Sequence, residues 1–170
     1  TNPDAPESYF PGRSGQKGYN LLHLNALYEI NHHIYADSVI QKRKDWNEHK
    51  ALLEMIGRSP VPKALIIADR GYESYNNMAH IQEKGWHFLI RVKDGRGSIK
   101  GNLELPEQER FDMDINLKIT RKQSNEVKEL LKDKNHYRFL PTNANFDYLP
   151  AKSSYKDPAS FYELHFRIVR

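Results

Sequence analysis

No cysteine occurs among the 170 residues, which excludes disulfides and thiolate metal ligands and suits a reducing cytoplasm. Nowhere does an apolar run approach the roughly 18 residues of a membrane helix, so no membrane partner is expected. The opening stretch, residues 1–16, is polar and rich in Pro, Gly and Ser, unlike a secretory signal. Charge of one sign is also scarce: 26 Lys and Arg against 22 Asp and Glu leave a net +4. Such an excess permits a nucleic-acid partner without demanding one. Residues 1–92 carry 11 basic and 10 acidic side chains, and residues 93–170 carry 15 and 12, a shift that a solvated face explains equally well. A mean hydropathy of -0.81 is polar for a globular chain, yet ten Tyr and seven Phe can still fill a core. The length suits one domain, or one domain with a sizeable insertion.

The most informative stretch is Leu65-Ile66-Ile67-Ala68-Asp69-Arg70-Gly71-Tyr72. Its apolar run reads as a buried strand that stops at a carboxylate, with Gly71 releasing the chain into a turn. In open α/β sheets, ligand and metal sites gather at the carboxyl ends of strands. Asp69 is therefore a candidate site residue. An aspartate there also serves simply to open a turn or cap the next helix, and position alone leaves both readings open.

Around that strand the chain has a clear order. Gly18 to Glu29 alternates as a strand, Asn31-His32-His33 reads as a turn, and Ile34 to Gln41 offers the second strand of a β-hairpin. Asp45-x-x-Glu48 resembles a capping box ahead of an amphipathic helix ending at Gly57, with Pro60 and Pro62 preventing continuation. After the Asp69 strand come a helix over 74–84, stopped by Gly85, and an apolar strand from His87 to Val92. Helical crossovers between strands predict an α/β sheet with parallel strands following an antiparallel hairpin. From Lys93 onward the pattern changes. Asp94 to Ser98 is linker-like, and Phe111 to Ile119 alternates strictly as a half-buried strand. Glu126 to Lys134 suits a short helix, Tyr137 to Leu140 a short strand, and Tyr162 to Ile168 a last alternating strand. Residues 1–92 thus read as an α/β core and residues 93–170 as a mostly β unit appended to it or inserted into it.

Several blocks in order resemble a known family: Lys17-Gly18-Tyr19-Asn20-x-x-His23, Asp37-x-x-Ile40-Gln41, Ile67 to Tyr75, Gly85 to Lys93, Thr120 to Glu126, and Tyr137 to Pro141. Together they look like bacterial insertion-sequence transposases of the Asp-Asp-Glu (DDE) type, specifically the insertion-sequence-four family. The resemblance implies a ribonuclease-H-like fold, of which residues 1–92 would be a partial catalytic core and residues 93–170 the β-rich insertion region. It also implies cut-and-paste DNA transposition, in which three carboxylates hold two divalent ions, Mg²⁺ or Mn²⁺, against the scissile phosphate. Asp69 matches the second Asp of that triad. Double-stranded DNA, as transposon ends and target, would be the partner, with a dimer in the synaptic complex.

The chain departs from the full family pattern. The first Asp is expected upstream of Thr1, and no Tyr-x-x-Arg-x-x-x-Glu helix is found. Asp4 follows no strand, and Glu73 lies too close to Asp69 to replace the missing Glu. One carboxylate of three predicts a fragment of the catalytic domain that is inert by itself. Arg70, next to Asp69, suits either a DNA phosphate or a surface carboxylate. Arg91 and Lys93 leave the last core strand on one side of the sheet and are candidate phosphate contacts. Arg121 and Lys122, with Gln123, follow the strongest strand of the second part and are candidates for transposon-end DNA. Lys42-Arg43-Lys44 reads as a solvated turn, Tyr19 and Tyr72 as packing residues, and Trp46 and Trp86 as core. The eight histidines show no zinc spacing. Two rival readings remain: a metal-dependent nuclease on the same fold, which would use Asp69 but not need the insertion, and a DNA-binding remnant of a decayed transposase.

Overall fold

The computed structural model describes residues 1–42, 45–95, 97–150 and 161–170. They form two compact units, Thr1–Val61 and Pro62–Arg170.

In the first unit, β1 (Tyr9–Phe10) pairs with β2 (Tyr19–Asn20), and β3 (His23–Glu29) pairs antiparallel with β4 (Ile34–Gln41). The expected strand from Gly18 is thus split, because Leu21 and Leu22 leave the ladder between β2 and β3. The His32-His33 turn is observed, with His33 in the left-handed region at φ 57°. Helix α1 (Glu48–Arg58) packs on this hairpin through Ala51, Leu52, Met55 and Ile56, the spacing of one apolar face.

Polar contacts fasten both ends of α1. At its start, the Gln41 side chain accepts from the Asn47 N–H and donates to the Asn47 carbonyl, while Asn25 donates to the Gln41 Oε1. At its end, Arg58 forms a two-pronged ion pair with Asp37 on β4. The helix cap is Asn47, whose side chain accepts the Lys50 N–H, so the Asp45 capping box is corrected by two residues. Trp46 is also corrected. It is 55% exposed rather than core, and it lies against the His23 ring. Arg43 and Lys44 of the basic turn lie outside the described residues.

The second unit holds a parallel pair, β5 (Leu65–Ala68) and β6 (His87–Ile90), joined by α2 (Tyr75–Glu83). The parallel pairing and the crossover helix are those the sequence predicts. Ser74 caps α2 by accepting the Asn76 N–H. At the other end Gly85 adopts φ 73°, and the Gly85 and Trp86 N–H groups return to the carbonyls of Gln82 and Ile81. That is a glycine-dependent helix stop, and a side chain at 85 would strain it. The β5 strand is not buried on both faces as the apolar run suggests. Ile66 points inward, whereas Leu65, Ile67 and Leu89 are exposed on the opposite face.

A second sheet has the order β8-β7-β9, formed by β7 (Asp112–Thr120), β8 (Tyr137–Phe139) and β9 (Phe161–Val169). β8 runs parallel to β7 and β9 antiparallel to it. The strict alternation is observed: Ile115, Leu117 and Ile119 are buried while Asp114, Asn116 and Lys118 face solvent. Helix α3 (Asn125–Leu130) lies between β7 and β8 and stops four residues short of the predicted end. Met78 and Ala79 of α2 and Phe88 and Ile90 of β6 pack in one core with Ile115, Leu117 and Leu164. That shared core joins residues on either side of position 92 within the Pro62–Arg170 unit.

Two side chains from far along the chain tie this unit together. Gln82 on α2 donates to the Glu163 carbonyl and accepts the His165 N–H, covering part of the outer edge of β9. Asp147 accepts from the Asn76 amide at 2.9 Å and lies 2.7 Å from the His80 Nε2. The Asn76 amide bond, then His80, hold the Asp147 carboxyl below its usual range.

Leu117 is fully buried, so Leu117→Ala should cost about 3 kcal/mol of stability, read as a lower urea midpoint for the Pro62–Arg170 unit. A carboxylate whose folded pKa is lowered stabilises in full above its unfolded value of about 4 and loses that contribution as pH falls through the lowered folded value. Asp147→Asn should therefore make the acid-side fall in thermal stability shallower below about pH 4, with no matching change of slope above pH 6.

Candidate functional site

Parallel pairing brings the carboxyl ends of β5 and β6 to the same edge, because Ala68 is registered with Ile90. The residues that follow are Asp69 and Arg91, on the same alternating positions as the exposed Leu65, Ile67 and Leu89. Asp69 is extended, with φ -76° and ψ 168°, and precedes a single 3₁₀ turn, Arg70–Tyr72. Its carbonyl accepts the Tyr72 N–H and closes that turn. Its carboxylate makes no capping hydrogen bond. The side chain is thus not consumed by the turn, which was the plain alternative for an aspartate here.

Instead the Asp69 carboxylate meets Arg91. The Arg91 Nε lies 3.1 Å from Asp69 Oδ1, and each side chain is about two-thirds exposed (64% and 66%). At that exposure the pair contributes little to stability, on the order of 0–1 kcal/mol. Its consequence is positional. A carboxylate and a guanidinium are presented together at the sheet's edge, where a cation and a phosphate can both approach.

Four residues later, Glu73 reaches the same segment. One of its carboxylate oxygens accepts the Lys93 N–H at 2.6 Å and the other accepts the Ile99 N–H at 2.5 Å. Lys93 therefore belongs to the site through its backbone, with its side chain exposed. Arg70 is exposed on the 3₁₀ turn. Asp94 is ion-paired with Lys100, which holds its carboxyl below the ordinary range, with smaller contributions from Arg170 and Arg70. Asp69, Arg70, Arg91 and Lys93 are thus gathered around the ends of β5 and β6. A cavity of about 620 Å³ adjoins them, with Ile67, Phe88, Leu89, Phe111 and Phe166 in its walls beside Arg91 and Lys100.

Arg121 and Lys122 belong elsewhere, at the end of β7. Arg121 is 8% exposed, and its guanidinium donates to the carbonyls of Thr142, Ala144 and Phe146. It holds the 142–146 loop, with its guanidinium turned inward onto those carbonyls. Lys122 is half-buried, with its N–H donating to the Thr120 hydroxyl. Tyr19 stacks on Phe10 with ring centroids 5.2 Å apart while remaining exposed, and Trp86 is buried.

Among the described residues, no three His, Asp or Glu side chains converge as metal ligands. The residues present do not make a metal site by themselves: Asp69 offers one carboxylate, and one of its oxygens already faces Arg91. No helix among the described residues is long and apolar enough to cross a membrane. Sequence reasoning passed over Asn76, Gln82 and Asp147, and weighed Glu73 only as a replacement for the missing Glu. For Glu73 a signal existed, a carboxylate one turn beyond Asp69 and facing a glycine-rich segment, but nothing local shows which amides it would accept.

Neither curated proteins nor solved structures include a match to this chain. The family described as transposase DDE domain matches residues 1–156, across both compact units and the whole Asp69 site. With a lone carboxylate and paired cations at the ends of two parallel strands, and with that match over most of its length, the chain belongs to the transposase DDE domain family.

Proposed function

We propose that this chain is part of the catalytic domain of a cut-and-paste DNA transposase of the insertion-sequence-four type, on a ribonuclease-H-like core, with Asp69 as one of its catalytic carboxylates. The observation that carries the reading is the exposed Asp69 carboxylate at the end of β5, uncommitted to capping and facing Arg91 from the adjacent parallel strand. Strands β3 to β6 with α1 and α2 would belong to the core, and residues 93–170 to the β-rich insertion. The reaction class is phosphoryl transfer: water displaces a 3′-oxygen from the scissile phosphorus, and the freed 3′-hydroxyl then attacks a target phosphodiester.

This chain's residues suit parts of that chemistry. Arg91 holds the Asp69 carboxylate in place and offers its remaining N–H groups to a phosphate oxygen. Arg70 and Lys93 add positive charge on either side, contacts that position DNA without reading sequence. The divalent ions of the family, Mg²⁺ or Mn²⁺, would require further carboxylates beside Asp69, and held there would supply electrostatic stabilisation of the phosphate. Lys122 is proposed only as an outlying backbone contact.

In the transposase carrying this chain, Asp69→Asn should lower strand cleavage by on the order of a hundredfold or more while leaving DNA binding within a few-fold. Full cleavage by that variant would remove Asp69 from the chemistry. Lys93→Ala should weaken duplex binding uniformly across sequences and reduce the salt slope by about one. For the isolated chain, Mn²⁺ binding should be weaker than millimolar, should vanish in Asp69→Asn, and should tighten a few-fold in Arg91→Ala, where the competing guanidinium is gone. Tighter wild-type binding would reveal a second ligand beside Asp69.

A further inference from the structure

We infer that Glu73 is a positioning residue for the Asp69 site: it fixes the segment leaving β6 so that Arg91 stays against Asp69 and Lys93 stays beside it. The inference rests on the proposed role of Asp69. Its basis is that the turn after β5 grips the segment after β6 at two successive points. The first is the Asp69–Arg91 ion pair. The second is Glu73, whose two carboxylate oxygens each take a separate backbone N–H, from Lys93 and from Ile99. A carboxylate accepting two amides makes charge-assisted bonds, stronger than neutral ones.

The gripped segment would not hold that shape by itself. Neither Lys93 nor Asp94 is in a strand or helix, and Gly95 sits at φ 110°, a conformation only glycine adopts without strain. Gly97 adds further freedom. Arg91, two residues before the Lys93 amide, follows β6, and its N–H reaches the Ala68 carbonyl at 3.2 Å. Beyond that bond, Glu73 supplies the next tie between the two strand ends. It lies outside any metal-ligand role and touches no DNA-facing atom; it acts through the backbone that carries Arg91 and Lys93.

The test has two arms. In this chain, hydrogen exchange at the Lys93 and Ile99 amides should be slowed about tenfold or more relative to unprotected amides, and Glu73→Gln should release at least the amide that then faces the new NH₂ group. Free exchange at both amides in the wild-type chain would overturn the inference without reference to activity. In the transposase carrying this chain, Glu73→Gln should lower the single-turnover cleavage rate by about tenfold, with DNA affinity nearly unchanged. In an Arg91→Ala background the same substitution should add little, because both act on one arrangement. Multiplicative losses in the double variant would reduce Glu73 to a general stabilising role and overturn the inference. If Asp69→Asn leaves cleavage intact, the proposed function fails instead, and the exchange result still decides whether the grip exists.

Discussion

Two parallel strands joined by a helix must end on the same side of their sheet, and the candidate site depends on that constraint. Four residue pairs, from Leu65↔His87 to Ala68↔Ile90, fix the register of β5 against β6. Once it is fixed, the next residues, Asp69 and Arg91, stand beside each other and within ion-pair distance. A slip of one residue would turn one of them to the opposite face. What secures the register is the inner face: Phe88 and Ile90 pack on the core that α2 shares with β7 and β9, and Ile66 is buried on that face. Apolar packing on one face thus sets the geometry of charged groups at the edge.

The same unit shows how a polar chain compensates for modest hydrophobic content. Many of its long-range ties are side chains bonded to backbone groups: Gln82 on the edge of β9, Arg121 on three loop carbonyls, and Glu73 on two amides. Each satisfies backbone groups that regular structure leaves open. In the first unit, Gln41 and the Asp37–Arg58 pair perform the same task at the two ends of α1. Charged residues that look free for a ligand when read along the chain are thus partly consumed by the fold, as Arg121 is by its loop carbonyls, while Arg91 stays exposed.

Periodicity made most of the elements legible. The hairpin, the parallel pair, the crossover helix and the alternating β7 and β9 follow from apolar spacing and from Gly85, Pro60 and Pro62. Asp69 at the end of a strand was legible for the same reason. What escaped was decided by partners distant in sequence. Asn47 displaces Asp45 as the α1 cap because Gln41, six residues earlier, binds its backbone. Asn76 meets Asp147 across 71 residues, and the exposed face of β5 cannot be told from a buried one by four apolar letters. Trp46 looked like core because it is large and apolar, but it precedes the helix and lies exposed beside His23.

We propose Asp69, at the end of β5, as the place where a divalent ion meets this chain. Paramagnetic broadening of the amide spectrum by Mn²⁺ tests it directly, since the effect falls steeply with distance and needs only weak binding. The predicted result is broadening centred on residues 68–71 and 91–93, absent in Asp69→Asn. Broadening centred instead on Asp112 and Asp114, or spread over all acidic residues alike and unchanged by Asp69→Asn, would contradict the account.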